Sequence, residues 1–298
     1  MTNTWWKIVV DCVPDLEEIA FLQFQQLGCA GTSHQFKDNN LCIEAFLPSS
    51  QIQLQDLENL SLSLQQNAQE LGIVLPKISW ELIAGEDWAN TWKNSWEPQE
   101  IGNSLIAIAS WLPAPENTNK IVLRIDPEMA FGTGNHTTTQ MCLEVLETLT
   151  TNLVLPAKTV VADIGCGSGI LAIAAILFKA QQVYAVDIDP LAIRATISNI
   201  KLNQINPEKI IVAEGGIEKL KELISSRVDG ILCNIVAEVI ADLIPQMSAI
   251  IKPGGWAILS GITIDKVEVV NQAIAVSGWK IIKMHQKQEW CCFLINYC

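Results

Sequence analysis

The run Asp163-Ile164-Gly165-Cys166-Gly167-Ser168-Gly169 limits the possible folds of this chain more than any other feature. It follows a strand-like stretch, Val160–Ile164, and opens a helical one, Ile170–Phe178. Glycines at alternate positions let the backbone turn tightly and let a ligand touch the main chain. The helix N-terminus that follows adds oriented N–H donors. A dinucleotide fingerprint needs G-x-G-x-x-G, and its third glycine would fall on Ile170. An acidic residue two positions before the first glycine is also wrong for NAD. Both features suit S-adenosylmethionine, which carries an amino-acid tail in place of a pyrophosphate.

The pattern around this loop alternates strand and helix. Val183–Ile188 is a strand and Pro190–Leu202 a helix; Ile210–Ala213 and Ile217–Ile224 repeat the unit, as do Val228–Cys233 and Ala237–Ile251, then Trp256–Ser260 and Lys266–Val276. Two last strands, Trp279–His285 and Trp290–Ile295, are too close for a crossover helix and should pair as an antiparallel hairpin at the sheet edge. The expectation is a Rossmann-like, seven-stranded α/β domain over residues 104–298. Asp187 ends the second of these strands, where a carboxylate can accept both ribose hydroxyls, and the other reading is solvation of a strand end. Asp189 reads as the N-cap of the next helix, with Pro190 at its first position.

Residues 1–84 carry a different order. Trp5–Cys12, Asp15–Leu27, Gly31–Phe36, Leu41–Leu47, Leu54–Leu71 and Lys77–Ala84 read as β-α-β-β-α-β, a small ferredoxin-like α+β domain. Residues 85–103 read as a linker helix, with Trp88, Trp92 and Trp96 four apart on one face. That stripe either packs the linker on a domain or docks a protein partner. Strand-like Leu105–Trp111 and Ile121–Ile125 follow, around Pro113 and Pro115.

Composition narrows the partners. A net charge of −13 repels phosphate backbones, so direct nucleic-acid binding is not expected and a basic partner would be attracted. The nine cysteines form no C-x-x-C pair, which argues against a zinc site and a disulfide framework, so no metal is expected. No run approaches 18 apolar residues and no secretory signal opens the chain, so a cytoplasmic location without membrane association is expected.

Further segments carry a family resemblance. Phe131-Gly132-Thr133-Gly134-Asn135-His136-Thr137-Thr138-Thr139 precedes the core, and Cys233-Asn234-Ile235-Val236 follows its fourth strand. With the glycine loop, Asp187–Pro190, Leu259-Ser260-Gly261-Ile262, Trp88-x-x-x-Trp92-Lys93 and Glu289-Trp290-Cys291, they resemble the PrmA family, methyltransferases of the eleventh large-subunit ribosomal protein. Glu128, Thr137 and Val236 depart from that family's usual glycine, proline and leucine without removing a polar group. The resemblance implies Thr139, Gly165, Asp187 and Asn234 as cofactor contacts, with Phe131, Gly132 and Thr133 in a loop over the cofactor. Asp163 and Gly167 join them through the glycine loop. It also implies methylation of lysine side chains and the N-terminal α-amine of a large-subunit ribosomal protein, recognised by the N-terminal module.

Methyl transfer to an amine needs a neutral nitrogen, and a lysine of pKa ~10.4 costs roughly 4–5 kcal/mol to deprotonate at neutral pH. Burial and a sulfonium charge both lower that pKa. Asn234, at a strand's C-terminal end, is positioned to accept a hydrogen bond from the amine, or else structures its loop. His136 either passes the proton to water or fixes the loop. Two other activities fit the same loop. One is methylation of another protein, a nucleic acid or a small molecule. The other is non-catalytic binding through a retained cofactor fold.

Overall fold

In the computed structural model the described residues are 4–29, 32–37, 40–84, 96–116, 118–126, 134, 136–150 and 154–298. They divide into two units, Met1–Trp96 and Glu97–Cys298.

The first unit runs β1 (Thr4–Cys12), α1 (Glu17–Gln26), β2 (Thr32–Lys37), β3 (Asn40–Pro48), α2 (Leu54–Glu70) and β4 (Lys77–Ala84). Alternation in β1 puts Ile8, Val10 and Cys12 on one buried face, level with Leu41, Ile43, Ala45 and Leu47 of β3. Ala20 and Phe24 of α1 and Leu57, Leu60, Leu64 and Ala68 of α2 recur at helical spacing and cover that face. The strand order is β2-β3-β1-β4 with each neighbouring pair antiparallel. This is the ferredoxin-like arrangement that the β-α-β-β-α-β order predicts.

The second unit opens with β5 (Gln99–Ile101), β6 (Leu105–Ala109), β7 (Ile121–Ile125) and α3 (Thr137–Thr148). The linker helix expected over 85–103 does not extend over its last residues. Residues 85–95, with Trp88 and Trp92, lie outside the described residues, and Gln99–Ile101 is a strand paired antiparallel with β6. Pro98 removes a donor that a helix would use, Ile101 is buried, and Gly102 at φ 57° turns the chain back into β6. The second unit therefore begins at Glu97 rather than at 104.

From there the chain alternates: β8 (Val160–Ile164), α4 (Ile170–Leu177), β9 (Gln182–Asp187), α5 (Pro190–Leu202), β10 (Ile210–Glu214), α6 (Ile217–Leu223), β11 (Val228–Asn234), α7 (Ala237–Ile250), β12 (Ile251–Thr263), α8 (Val267–Val276), β13 (Trp279–Lys287) and β14 (Trp290–Tyr297). One seven-stranded sheet results, in the order β10-β9-β8-β11-β12-β14-β13. β8 to β12 are mutually parallel, and β14 is antiparallel to both β12 and β13, which gives the expected edge hairpin. The strands read as nearly continuous apolar runs because both faces are covered. Leu232, Ile258 and Leu294 face α3 and α4, while Ile231, Cys233, Leu259 and Phe293 face α6, α7 and α8. Each such fully buried aliphatic side chain contributes roughly 1.5–3 kcal/mol relative to exposure.

The strand order fixes where a ligand can sit. After β8 the chain moves outward through β9 and β10, then returns to lay β11 on the other side of β8. Open parallel sheets bind ligands at the C-terminal ends of strands flanking such a reversal. Here those ends are Ile164 and Cys233, which are paired, leading into Gly165 and Asn234.

Candidate functional site

At the reversal the glycine loop turns on residues with φ of 73° at Gly165, 54° at Gly167 and 79° at Gly169, which side-chain-bearing residues rarely adopt. The amides of Gly165 and Cys166 both donate to the Val186 carbonyl, at 2.9 and 3.1 Å, tying the loop to the end of β9. Gly169 is the N-cap of α4, whose residues Ile170 to Ala175 are all buried. A Cβ at Gly165 would overlap the Ile235 side chain, and one at Gly261 would lie on the Ile235 carbonyl oxygen. Ile235, directly after Asn234, is thus wedged between two backbone turns that only glycine permits.

Three acceptors converge here. Asp187, at the end of β9, accepts from the Gly167 amide at 2.9 Å through one oxygen and from the Asp189 amide at 3.0 Å through the other. Its carboxylate clamps the glycine loop and retains lone pairs for a further donor. Asp189 caps α5 by accepting from the Leu191 amide at 2.8 Å, as the Asp-Pro pair predicts.

Asp163 is 1% exposed. One of its oxygens accepts from the Ala172 amide at 3.1 Å, and the other has no partner among the described residues. Burial pushes its carboxyl up to about 7, with the Asp187 charge adding to the effect and the Ala172 amide opposing it.

Asn234 ends β11 beside Ser260 of β12. Its Nδ2 donates to the Thr139 Oγ1 at 3.3 Å, while its buried Oδ1 has no partner among the described residues. Thr139 itself is buried in the first turn of α3.

His136 is the N-cap of α3. Its Nδ1 accepts from the Thr138 amide at 3.3 Å and lies 2.7 Å from the Thr138 hydroxyl. The imidazole also meets the Trp290 ring edge-on, with centroids 5.0 Å apart. One ring nitrogen is therefore engaged in capping. Phe131, Gly132 and Thr133, expected in a loop over the cofactor, lie outside the described residues. The structure therefore brings Thr139, Asp163, Gly165, Gly167, Asp187 and Asn234 to one end of the sheet, with His136 one turn before Thr139.

Two residues that the sequence did not single out hold this end together, and a third continues their line. Thr196 Oγ1 donates to the Gly167 carbonyl at 2.9 Å, Asn199 Nδ2 donates to the Ser168 carbonyl at 2.9 Å, and Asn203 pairs with Arg124 of β7. Their spacing of three and four along α5 was the available signal. Among the described residues no cluster of His, Cys, Asp and Glu has the makings of a metal site, and no helix is long and apolar enough to cross a membrane.

The arrangement can bind a ligand that has a hydroxylated ring for Asp187 and a donor for the unpartnered oxygens of Asp163 and Asn234. Comparison with known proteins points the same way. The family model described as "Ribosomal protein L11 methyltransferase (PrmA)" matches residues 4–297. Curated relatives named ribosomal protein L11 methyltransferase include one from Cyanothece sp., 43% identical over 98% of this chain and 98% of its own length. Another, from Thermosynechococcus vestitus, is 40% identical over 98% of this chain and 97% of its own. Among solved structures, the ribosomal protein L11 methylase of Lactobacillus delbrueckii subsp. bulgaricus superposes with a TM-score of 0.60 at 30% identity, covering 68% of this chain and 99% of that one.

Proposed function

The chain belongs to the ribosomal protein L11 methyltransferase (PrmA) family, and on that premise we propose that it transfers methyl groups from S-adenosylmethionine to amino groups of ribosomal protein L11. The observation that carries this reading is the Asn234 side-chain oxygen, buried and unpartnered at the reversal point, one strand from the glycine loop. A buried acceptor left unmatched costs about 1–3 kcal/mol, so its natural use is to receive a donor that arrives with ligand or substrate.

S-adenosylmethionine supplies an electrophilic methyl group on a sulfonium when bound. The residues at the site fit it. Asp187 suits ribose hydroxyls, Gly165 presents main chain where a side chain would strike Ile235, Gly167 turns at a φ of 54°, and Asp163 offers an unmatched acidic oxygen deeper in. Thr139 holds the Asn234 amide through its nitrogen, which leaves the buried Oδ1 as an acceptor. Phe131, Gly132 and Thr133 complete the cofactor loop in this reading.

Asn234 accepts from the incoming nitrogen and orients its lone pair, and lysine side chains and the N-terminal α-amine are the acceptors. His136 spends Nδ1 on capping, so its first task is fixing the start of α3. Residues 1–84 recognise the substrate, and 104–298, extended back to Glu97, carry the chemistry. A basic ribosomal protein complements a chain of net charge −13, and the ribosomal substrate implies a cytoplasmic location.

The test is incubation of the purified protein with radiolabelled S-adenosylmethionine and ribosomal proteins from a methylation-deficient cell. Label is expected in L11, on lysine and N-terminal nitrogen by peptide mass. Label confined to RNA, to other proteins, or to nothing would overturn the assignment.

A further inference from the structure

A glycine loop does not hold its own shape, because glycine has more conformational freedom than any other residue. Here the restraint comes from α5. Thr196 and Asn199 lie on one face of that helix, in line with Asn203 at its C-cap, and Thr196 and Asn199 are fully buried. Thr196 holds the Gly167 carbonyl at 2.9 Å. Asn203 makes two hydrogen bonds to one residue of β7, with Nδ2 donating to the Arg124 carbonyl at 2.7 Å and Oδ1 accepting from the Arg124 amide at 2.9 Å.

Asn199, between them, spans both regions. Its Nδ2 donates to the Ser168 carbonyl at 2.9 Å, and its Oδ1 accepts from the Asp126 amide at 2.8 Å. Peptide planarity means that fixing the Ser168 carbonyl also fixes the plane carrying the Gly169 amide. A Cβ at Gly169 would crowd the Thr196 side chain, so the loop and α5 are in direct contact.

We propose that Asn199 is a positioning residue for S-adenosylmethionine, one side-chain amide setting the Ser168–Gly169 peptide at a fixed distance from the end of β7. The proposal rests on the reading that the glycine loop holds this cofactor. Asn203 is its internal control, because it makes the same type of bond pair one turn away, with one further bond from its Nδ2 to the Asn199 carbonyl at 2.8 Å, without touching the loop.

The experiment measures S-adenosylhomocysteine binding by calorimetry and thermal unfolding for the full-length parent, Asn199→Asp and Asn203→Asp. Each substitution keeps the acceptor for a backbone amide and sets a carboxylate oxygen against a carbonyl. Both should lower Tm by similar amounts. Asn199→Asp should raise Kd at least tenfold, and Asn203→Asp should stay within twofold of the parent. Asn199→Ser, which leaves room for a bridging water, should fall between the parent and Asn199→Asp. A Kd for Asn199→Asp within twofold of the parent, or an equal loss in Asn203→Asp, would overturn the proposal. Failure of both Asn199 variants to fold would also overturn it, by assigning the residue to the core. A parent that does not bind S-adenosylhomocysteine would instead sink the reading of the glycine loop itself.

Discussion

Replacing Asp163 by Asn should make the ligand-free protein more stable at alkaline pH while changing little in acid. The carboxyl is buried, has one amide donor for two oxygens, and is raised from 3.8 to about 7. The folded state therefore holds a proton that the unfolded chain has already released. Stability is lost as pH rises from about 4 to about 7 and stays lost above that range. At 1.36 kcal/mol per pH unit the penalty approaches about 4 kcal/mol by pH 8. Asn has nearly the same shape, can still accept from the Ala172 amide, and does not titrate. Denaturant unfolding of both proteins from pH 4 to pH 8.5 should show the variant gaining about 3–4 kcal/mol on the parent across that span. A difference between the two that stays constant with pH would mean that Asp163 is ionised throughout, and the argument from burial would fail.

Asp187→Ala removes an acceptor for ribose and the clamp on the Gly167 and Asp189 amides, so calorimetry with S-adenosylhomocysteine should show binding weakened by roughly tenfold to hundredfold. Asn234→Ala should reduce single-turnover methylation more than it reduces cofactor affinity. A transfer rate equal to the parent's at saturating substrate would withdraw its role. Gly261→Ala places a methyl group on the Ile235 carbonyl in a left-handed backbone conformation, and should lower thermal stability and cofactor affinity together, by about 2 kcal/mol or more in unfolding free energy.

The cofactor end of the sheet was legible because its determinants are local. Left-handed turns leave glycines in the sequence, a helix start leaves Asp189-Pro190, and βα alternation leaves hydrophobic runs of fixed length. Other features had no such mark. The helix Thr137–Thr148 opens with three β-branched threonines behind a histidine cap, a start that propensity disfavours and that the packing of Met141, Leu143 and Leu146 overrides. Gln99–Ile101 is three residues long and is a strand only because β6 lies beside it. Asn199 and Asn203 look in sequence like the polar side of an amphipathic helix. Asn199 is internal because the end of β7 and the glycine loop, 73 and 31 residues away, close over it, and Asn203 is half-buried beside it. Asp163 reads as a motif residue, but its unmatched oxygen follows from what surrounds it in three dimensions.

The placement of β14 between β12 and β13 bears on how the sheet is assembled during synthesis. β13 is made before β14, the strand it pairs with, so on emerging it has no template within the sheet. The half-formed domain ends at β12, whose apolar residues Ile258 and Leu259 stand at an open edge until β14 arrives between the two. That interval exposes a row of unpaired amides and carbonyls to other nascent chains. β13 carries exposed Lys280, Lys283 and Lys287, charges of the kind that keep a waiting edge from pairing with a stranger. Closure of the sheet is therefore a late, long-range event, and the completed hairpin seals the edge by pairing on both sides of β14 at once.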